Sequence, residues 1–183
     1  LHDVGACTRQ IAEHTGPFVY QASTSTACSS AANAIIHAAR MLECGEAEMA
    51  VAGGTECLTK FHLNGFNSLL ILDNAPCRPF CKTRAGLNLG EGAAYVVLET
   101  PEAAQRRGHR PLAILTGYGN ACDAFHQTAT SETADGPYLA MRKALEKGRL
   151  TAQDIDYINA HGTATPDNDR SELTAMHRQI GRA

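Results

Sequence analysis

Residues 23–35, STSTACSSAANAI, decide the predicted fold, because the chain changes there from a strand-like pattern to a helix-like pattern at Cys28. The sequence FVYQASTST at 18–26 predicts a buried strand. From residue 29 to 43, apolar side chains follow helical spacing and cover nearly the whole circumference, which is typical of a buried helix. Residues 47–54 form a short apolar run ending in glycines and predict a central strand. This order of strand, turn, buried helix and strand indicates a parallel α/β unit.

The rest of the chain continues to alternate between strands and helices. The pattern predicts strands at 93–99, 112–119 and 154–160, and helices at 101–108, 136–147 and 169–180. Residues 55–92 show no such periodicity, so we expect irregular structure there with one short apolar segment at 65–72. The whole chain is therefore expected to be α/β, with a seam near residues 108–111.

Composition argues against several classes of protein. The 183 residues carry a net charge of −3, and their basic residues are scattered, so we expect no nucleic-acid partner. No apolar run approaches the roughly 20 residues that cross a bilayer, and no signal-peptide pattern is present, so we expect no membrane association. The chain begins with Leu1 and not with Met, which indicates a piece of a longer protein.

Cysteine usage indicates a reducing compartment. The seven cysteines are odd in number and contain no C-x-x-C pair, which is typical of reduced thiols in a cytoplasmic protein. Cys77 and Cys81 suggest half of a metal site, but no second pair or nearby His completes a zinc set. We therefore expect no metal.

Cys28 is the first candidate for chemistry. A thiol at a strand-to-helix turn lies near the positive end of the helix, which lowers its pKa and favours the thiolate. The unbonded N–H groups of the first helical turn can also receive an oxyanion. The alternative is a small buried side chain in a tight turn, since cysteine is often buried. The residues around Cys28 leave both interpretations open.

The second candidate is the stretch NAHGTATPDND, residues 159–169. His161 follows a predicted strand, where open parallel sheets place their sites, and Thr163 and Thr165 put two hydroxyls on the same loop. This pattern suits a His that faces a polar ligand, and the alternative is a His that only satisfies its loop. A Cys with a distant His is a candidate nucleophilic pair, so Cys28 favours the first interpretation.

Two further features bear on ligand binding. Gly86, Gly90 and Gly92 suggest a nucleotide loop, but they precede a strand, whereas the glycines of a dinucleotide fingerprint follow one. We therefore expect no nucleotide cofactor. His126 follows Asp123 in a loop after a predicted strand, and we expect both to line the same pocket as the residues above.

Five stretches in this order resemble the β-ketoacyl-acyl-carrier-protein synthases, the condensing enzymes of the thiolase-like fold. They are STACSSAANAI, VAGGTE, RPF, GLNLGEGAAYVVLE and NAHGTATPDND, and the resemblance covers nearly the whole chain from about Val19. It implies a five-layered αβαβα fold with mixed five-stranded sheets, built from two similar halves and incomplete in this chain. Residues 1–109 resemble the later part of the first half, and residues 110–183 resemble the beginning of the second.

The resemblance also implies a reaction. Cys28 would take an acyl group from acyl carrier protein as a thioester, and a malonyl-loaded carrier would lose carbon dioxide to give the attacking enolate. His161 would stabilise the enolate oxygen, and the backbone N–H of Cys28 would donate to an oxyanion. Thr163 and Thr165 match threonines that bind the pantetheine arm, and Glu172 matches a structural acid. The family further implies a homodimer, and the reaction consumes no metal or nucleotide, so we expect no cofactor.

The sequence departs from the family at three places. A second catalytic histidine, its preceding lysine and a late phenylalanine loop have no counterpart before Ala183. Cys81 stands where the family usually has an aspartate after RPF. We therefore expect the isolated 183-residue chain to be catalytically incompetent and poorly stable, because missing strands leave sheet edges and core faces exposed.

Other functions remain open at this point. Within the same fold, a polyketide or aryl-polyene ketosynthase is the alternative interpretation. A non-catalytic partner of the chain-length-factor type binds but does not become acylated, and Cys28 argues against it because such partners typically lack the nucleophile. A Cys–His hydrolase would need a thiol reached by water, whereas the apolar helix after Cys28 suggests a buried turn.

Overall fold

The computed structural model describes residues 3, 5–126 and 130–181. The α-helices are α1 (Ala6–Thr15), α2 (Ser30–Glu43), α3 (Lys60–Ser68), α4 (Pro101–Arg106), α5 (Asp135–Gly148) and α6 (Pro166–Ile180). Two strands, β1 (Met49–Glu56) and β2 (Gly92–Glu99), pair in one sheet, and a 3₁₀ turn spans Ala152–Asp154. The chain forms two compact units, residues 1–55 with 93–112, and residues 56–92 with 113–183.

In the first unit, two adjacent glycines of β1 allow close packing. A Cβ on Gly53 would lie 2.1 Å from the carbonyl oxygen of Ala94 in β2, so only glycine fits against the neighbouring strand. A Cβ on Gly54 would lie 3.1 Å from the Cβ of Ala31, which belongs to α2. The glycine pair thus brings β1 close to both β2 and the helix that follows Cys28.

In the second unit, α5 packs against α6 and against the extended segment that precedes it. A Cβ on Gly117 would lie 2.1 Å from the carbonyl oxygen of Ala144, and one on Gly119 would lie 2.2 Å from that of Ala140. The core of this unit includes Ala134, Ala164 and Ala175, which are fully buried, together with Met176. Small side chains therefore set the packing distance here as well.

The helices that the sequence predicts from apolar residues at helical spacing are confirmed. Helices α2, α4 and α5 lie where the sequence predicts them, and α6 begins at Pro166, three residues before the predicted position. Helices α1 and α3 were not predicted, and α3 occupies part of the stretch expected to be irregular. The expectation that α2 is buried all round is wrong for this chain, since only Ala38 and Ala39 of that helix are buried.

Three predicted strands do not form. Residues 18–26, 112–119 and 154–160 carry no strand assignment, and within the described part of the chain they have no ladder partner. Val19 is fully exposed, so the expected burial of residues 18–26 is also wrong. An apolar run becomes a strand only when a neighbouring strand takes up its backbone hydrogen bonds. The α/β class is confirmed, with two strands of the larger sheets that the resemblance implies.

Over the residues that the structure describes, no helix combines the length and apolar character that crossing a membrane requires.

Candidate active site

Cys28 lies in the turn that leads into α2. Ala27 before it adopts φ of +52°, a left-handed conformation that is uncommon for a residue with a side chain. Ser29 after it is the N-cap residue of α2, and the Cys28 side chain is exposed. The structure thus places the thiol at the amino-terminal end of a 14-residue helix, as the sequence predicts. The expectation of a buried turn at Cys28 is wrong for this chain, because the thiol is exposed and few residues of α2 are buried.

Hydroxyl and amide side chains hold the turn around Cys28. The Thr26 hydroxyl oxygen accepts hydrogen bonds from the Asn33 side-chain amide at 2.8 Å and from the Ser29 hydroxyl at 3.0 Å. The Ser29 hydroxyl also lies 2.8 Å from the Thr26 carbonyl oxygen. All of these groups are neutral, so the turn is held without any ion pair among these residues.

The backbone of the His161 loop is held by Glu172 of α6. The His161 N–H donates to one carboxylate oxygen of Glu172 at 2.5 Å, and the Gly162 N–H donates to the other at 2.9 Å. Gly162 has φ of +56°, and a Cβ there would lie 3.2 Å from the Pro79 side chain. The loop is therefore fixed from its backbone, which leaves the His161 side chain exposed.

Asp169 is the second acid that holds this loop, and sequence reasoning gave it no role. Its side chain is 1% exposed, and it accepts from the Ala164 N–H at 3.0 Å and from the Phe80 N–H at 2.7 Å. The Arg84 Nε lies 3.4 Å from the same carboxylate. The sequence did contain a pattern that points to this role. Asp169 and Glu172 lie at helical spacing on the same face as Met176, which is buried. Acids on an apolar face indicate internal partners.

The structure brings Thr163 and Thr165 together. Their hydroxyl oxygens lie 2.8 Å apart, and the Thr165 N–H donates to the Thr163 hydroxyl at 3.3 Å. Both residues are half-buried, and Thr165 is the N-cap residue of α6. The Cys77 thiol donates to the Thr163 carbonyl oxygen at 3.6 Å. The two hydroxyls form a small polar pair beside His161 in sequence, and their role in substrate binding stays a prediction.

Asp123 organises a separate loop of the second unit. Its carboxylate accepts from the Ser131 N–H at 2.5 Å, from the Ser131 hydroxyl at 2.9 Å and from the Gly136 N–H at 2.8 Å. Burial opposes ionisation of Asp123, but the hydrogen bonds from Ser131 and Gly136 outweigh it and hold its pKa below the usual value. The carboxylate therefore already has internal partners, and its predicted contact with substrate stays a prediction.

His126 lies in the same loop, and its side chain is exposed. An open depression beside it is formed by seven residues of this loop and the start of α5, namely Asp123, Ala124, Phe125, Ser131, Glu132, Thr133 and Asp135. Asp123 lines this depression, whereas His126 is not part of its lining. The predicted role of His126 in substrate binding stays a prediction.

Cys28 belongs to the first compact unit, whereas the other predicted site residues belong to the second. His161, Thr163 and Thr165 share one loop, and Asp123 and His126 share another. No disulfide joins any of the seven cysteines. The described residues include no group of three or more His, Cys, Asp or Glu side chains placed to hold a metal ion.

Cys81, the departure after RPF, has a distinct environment. Its sulfur lies 3.3 Å from the Thr83 hydroxyl. Hydrogen bonding from the Thr83 side chain and backbone lowers the pKa of the Cys81 thiol. These contacts therefore favour the thiolate form of Cys81.

Comparison with known families matches both parts of the chain. Residues 12–104 match the family "Beta-ketoacyl synthase, N-terminal domain", and residues 112–183 match "Beta-ketoacyl synthase, C-terminal domain". The first match contains Cys28, and the second contains the whole His161 loop.

Individual proteins give the same result. The chain is 46% identical over 167 residues to a 3-oxoacyl-[acyl-carrier-protein] synthase 2 of Rhizobium meliloti, covering 87% of this chain and 39% of that protein. It is 44% identical over 157 residues to a nodulation protein E of Rhizobium meliloti, covering 85% of this chain and 39% of that protein. The chain thus spans about two fifths of the length of these curated relatives.

A solved structure extends the match to three dimensions. A ketosynthase in complex with its chain length factor, from Xenorhabdus doucetiae, superposes with a TM-score of 0.85 at 34% identity. The match covers 98% of this chain and 43% of that one. With both family domains matched in order, and the fold shared with a ketosynthase, the chain belongs to the beta-ketoacyl synthase family.

Proposed function

We propose that this chain is part of a 3-oxoacyl-[acyl-carrier-protein] synthase of fatty acid biosynthesis, in which Cys28 carries the growing acyl group. The observation that carries the proposal is the exposed Cys28 thiol in a strained turn at the start of α2. The N–H groups of a first helical turn stabilise a thiolate and a developing oxyanion. The family membership supports the same assignment.

The reaction has two stages. First, the Cys28 thiolate attacks the carbonyl of an acyl thioester on acyl carrier protein, and the carrier's thiolate leaves as the Cys28 thioester forms. Second, a malonyl group on the carrier loses carbon dioxide, and the resulting enolate attacks the Cys28 thioester. The new carbon–carbon bond gives a 3-oxoacyl product, and the thiolate of Cys28 leaves. No redox step occurs in this sequence, and no nucleotide is consumed.

His161 would donate a hydrogen bond to the enolate oxygen during decarboxylation. Its loop suits this role, because Glu172 holds the backbone N–H groups of His161 and Gly162 and leaves the ring exposed. The paired hydroxyls of Thr163 and Thr165 would bind the pantetheine arm. Asp123 and His126 would line the substrate path. Asp123 would do so by holding the loop that carries both residues.

The chain would contribute to two halves of the synthase, residues 1–109 and residues 110–183. The family matches end and begin at 104 and 112, which supports a boundary near residue 109. The partners would be acyl-loaded and malonyl-loaded acyl carrier protein and a second synthase subunit, in a homodimer. We place the protein in the cytoplasm, since an odd number of cysteines without a C-x-x-C pair is typical of reduced thiols there.

Intact-protein mass spectrometry with peptide mapping tests the proposal. The chain is incubated with a short acyl-pantetheine thioester, beside Cys28→Ala and the matched control Cys44→Ala, which removes another exposed thiol from the other end of α2. The chain is expected to fail at the complete condensation, but acylation of Cys28 is only its first stage. We expect one acyl adduct on Cys28, absent in Cys28→Ala and retained in Cys44→Ala. Acylation spread evenly over several cysteines, or none, would contradict the proposal.

A polyketide or aryl-polyene ketosynthase is the second candidate. The similarity to a nodulation protein E and to a ketosynthase that binds a chain length factor favours it. The two candidates differ in the acyl group they accept, so competition between saturated and polyunsaturated acyl-pantetheine thioesters for Cys28 separates them. Preferential labelling by the unsaturated donor would favour the second candidate. A chain-length-factor-type partner would be labelled by neither.

A further inference from the structure

The backbone on either side of Ala27 is bridged by a single side chain, that of Ser30. The Ser30 hydroxyl accepts a hydrogen bond from the Thr26 N–H at 2.8 Å and donates one to the Ala27 carbonyl oxygen at 2.7 Å. It therefore spans Ala27 from the N–H of Thr26 to the carbonyl of Ala27 itself. Because Ala27 has φ of +52°, the strained residue lies inside a ring that the Ser30 hydroxyl closes.

The carbonyl of Ala27 belongs to the peptide bond whose nitrogen is that of Cys28. The Ser30 N–H also donates to this carbonyl, at 3.1 Å, so the peptide group just before Cys28 is held by two donors of Ser30. The Cys28 N–H, which the proposed reaction uses as an oxyanion donor, shares that planar peptide group. The orientation of that donor therefore depends on Ser30.

The segment before Cys28 is tied to Ser30 a second time. The Thr24 hydroxyl donates to the Ser30 carbonyl oxygen at 2.9 Å. The separate contacts of Thr26 with Ser29 and Asn33 fix the residue before Ala27 but do not reach the Ala27 carbonyl. The Ser29 hydroxyl lies 2.8 Å from the Thr26 carbonyl oxygen, which belongs to the peptide group before Ala27. The Ser30 hydroxyl spans the strained residue from the Thr26 N–H to the Ala27 carbonyl and so holds the peptide group that Ala27 shares with Cys28.

We infer that Ser30 is a positioning residue for acyl transfer to Cys28, an inference that rests on the proposed function. It holds Ala27 in the left-handed conformation and thereby aims the Cys28 N–H and side chain at the acyl carbonyl. It does so through the backbone, so its removal is expected to affect orientation and not the ionisation of the thiol. Misplacement of a reacting group by about 1 Å is enough to slow a reaction by about a hundredfold.

The test compares Ser30→Ala with Ser30→Thr, which keeps the hydroxyl. The matched control is Ser68→Ala, since the Ser68 hydroxyl also donates to a carbonyl three residues earlier, that of Gly65 at 2.7 Å, at the end of α3. Three quantities are measured on the full chain: the rate of Cys28 acylation by butanoyl-pantetheine, the pH midpoint of Cys28 alkylation by iodoacetamide, and the alkylation rate of Cys44. Cys44 caps the other end of α2 and reports on opening of that helix.

We expect Ser30→Ala to slow acylation by about tenfold to a hundredfold, with the alkylation midpoint and the Cys44 rate unchanged. Ser30→Thr and Ser68→Ala should stay near the wild-type rate. Wild-type acylation in Ser30→Ala would overturn the inference, and so would a shifted alkylation midpoint, a faster Cys44 reaction, or a Ser30→Thr variant as slow as Ser30→Ala. Absence of acylation in the wild-type chain would instead overturn the proposed function, and with it this inference.

Discussion

The turn at Cys28 and the loop at His161 solve the same structural problem with different chemistry. Each leads into a long helix, and each contains an alanine in the left-handed conformation, Ala27 with φ of +52° and Ala164 with φ of +61°. Neutral hydroxyl and amide groups hold the turn at Cys28, and most residues of that turn are exposed. Two carboxylates of α6 hold the second, and one of them, Asp169, is fully buried.

The difference teaches where each region is vulnerable. A carboxylate can accept several N–H groups at once, so its loss leaves several donors unpaired, and a buried site offers no water to replace it. An exposed network of hydroxyls loses one neutral bond at a time, and water compensates for most of it. We therefore expect the His161 loop to govern stability and the Cys28 turn to govern reactivity.

The largest effect is expected for Asp169→Ala. This change removes the acceptor of the Phe80 and Ala164 N–H groups and the ionic partner of Arg84, so it should lower the free energy of unfolding by about 3 to 5 kcal/mol. Urea unfolding measures the loss. Asp167→Ala is the control, because its exposed ion pair with Arg170 should be worth less than about 0.5 kcal/mol. Equal effects of the two changes would contradict the assignment of Asp169 as the anchor.

The next effect concerns the glycine after His161. Gly162→Ala places a side chain at φ of +56° and 3.2 Å from Pro79, which should cost about 1 to 3 kcal/mol. Gly65→Ala is the matched control, since Gly65 lies inside α3 with open space around its Cβ position and should gain up to about 1 kcal/mol. Thermal unfolding of both variants checks the opposite signs. If Gly162→Ala left the thermal stability unchanged, the loop would not require the left-handed conformation at this position, which would contradict the prediction.

A smaller effect with a pH signature is expected for Asp123→Asn. The folded-state pKa of Asp123 lies below its ordinary value, so its contribution is fully present above about pH 4 and is lost as the pH falls through the folded pKa. The variant should be less stable than wild type by about 1 to 2 kcal/mol at neutral pH, because an amide offers one acceptor oxygen to Ser131 and Gly136.

Urea unfolding between pH 7 and pH 2.5 measures that gap. It should close below about pH 4, because protonation removes the same acceptor from the wild-type carboxyl. A gap that widens in acid would show that Asp123 is not held as a carboxylate.

The smallest stability effect is expected in the Cys28 turn. Asn33→Ala removes a 2.8 Å hydrogen bond to the Thr26 hydroxyl, which should cost about 1 kcal/mol or less. Chemical denaturation of this variant beside Asp169→Ala gives the contrast between the two regions directly. If Asn33→Ala lowered the free energy of unfolding as much as Asp169→Ala, the expected difference between the neutral, exposed turn at Cys28 and the charged, buried anchor of the His161 loop would be contradicted.

Local patterns predicted four of the six described helices, namely α2, α4, α5 and α6, and they supplied two candidate residues whose roles stay predictions. Helix α2 and the turn at Cys28 follow from a change in periodicity within 13 residues, and Thr163 and Thr165 come together because they share one short loop. The strands at 112–119 and 154–160 were predicted from equally regular patterns and do not form, because a strand depends on a neighbour that its own sequence does not specify. Helix α3 was missed because its apolar spacing is weak.

The sequence by itself determined the nucleophile candidate, the histidine loop, the helices that follow them and the family. These features rest on interactions between residues a few positions apart, which a local pattern encodes. Only the tertiary structure decided that Asp169 holds Phe80, 89 residues earlier in the chain, and that Gly53 faces the backbone of β2. Such partners are chosen when distant segments compete to bury polar groups and close-packed backbone, and no spacing within one segment records the outcome.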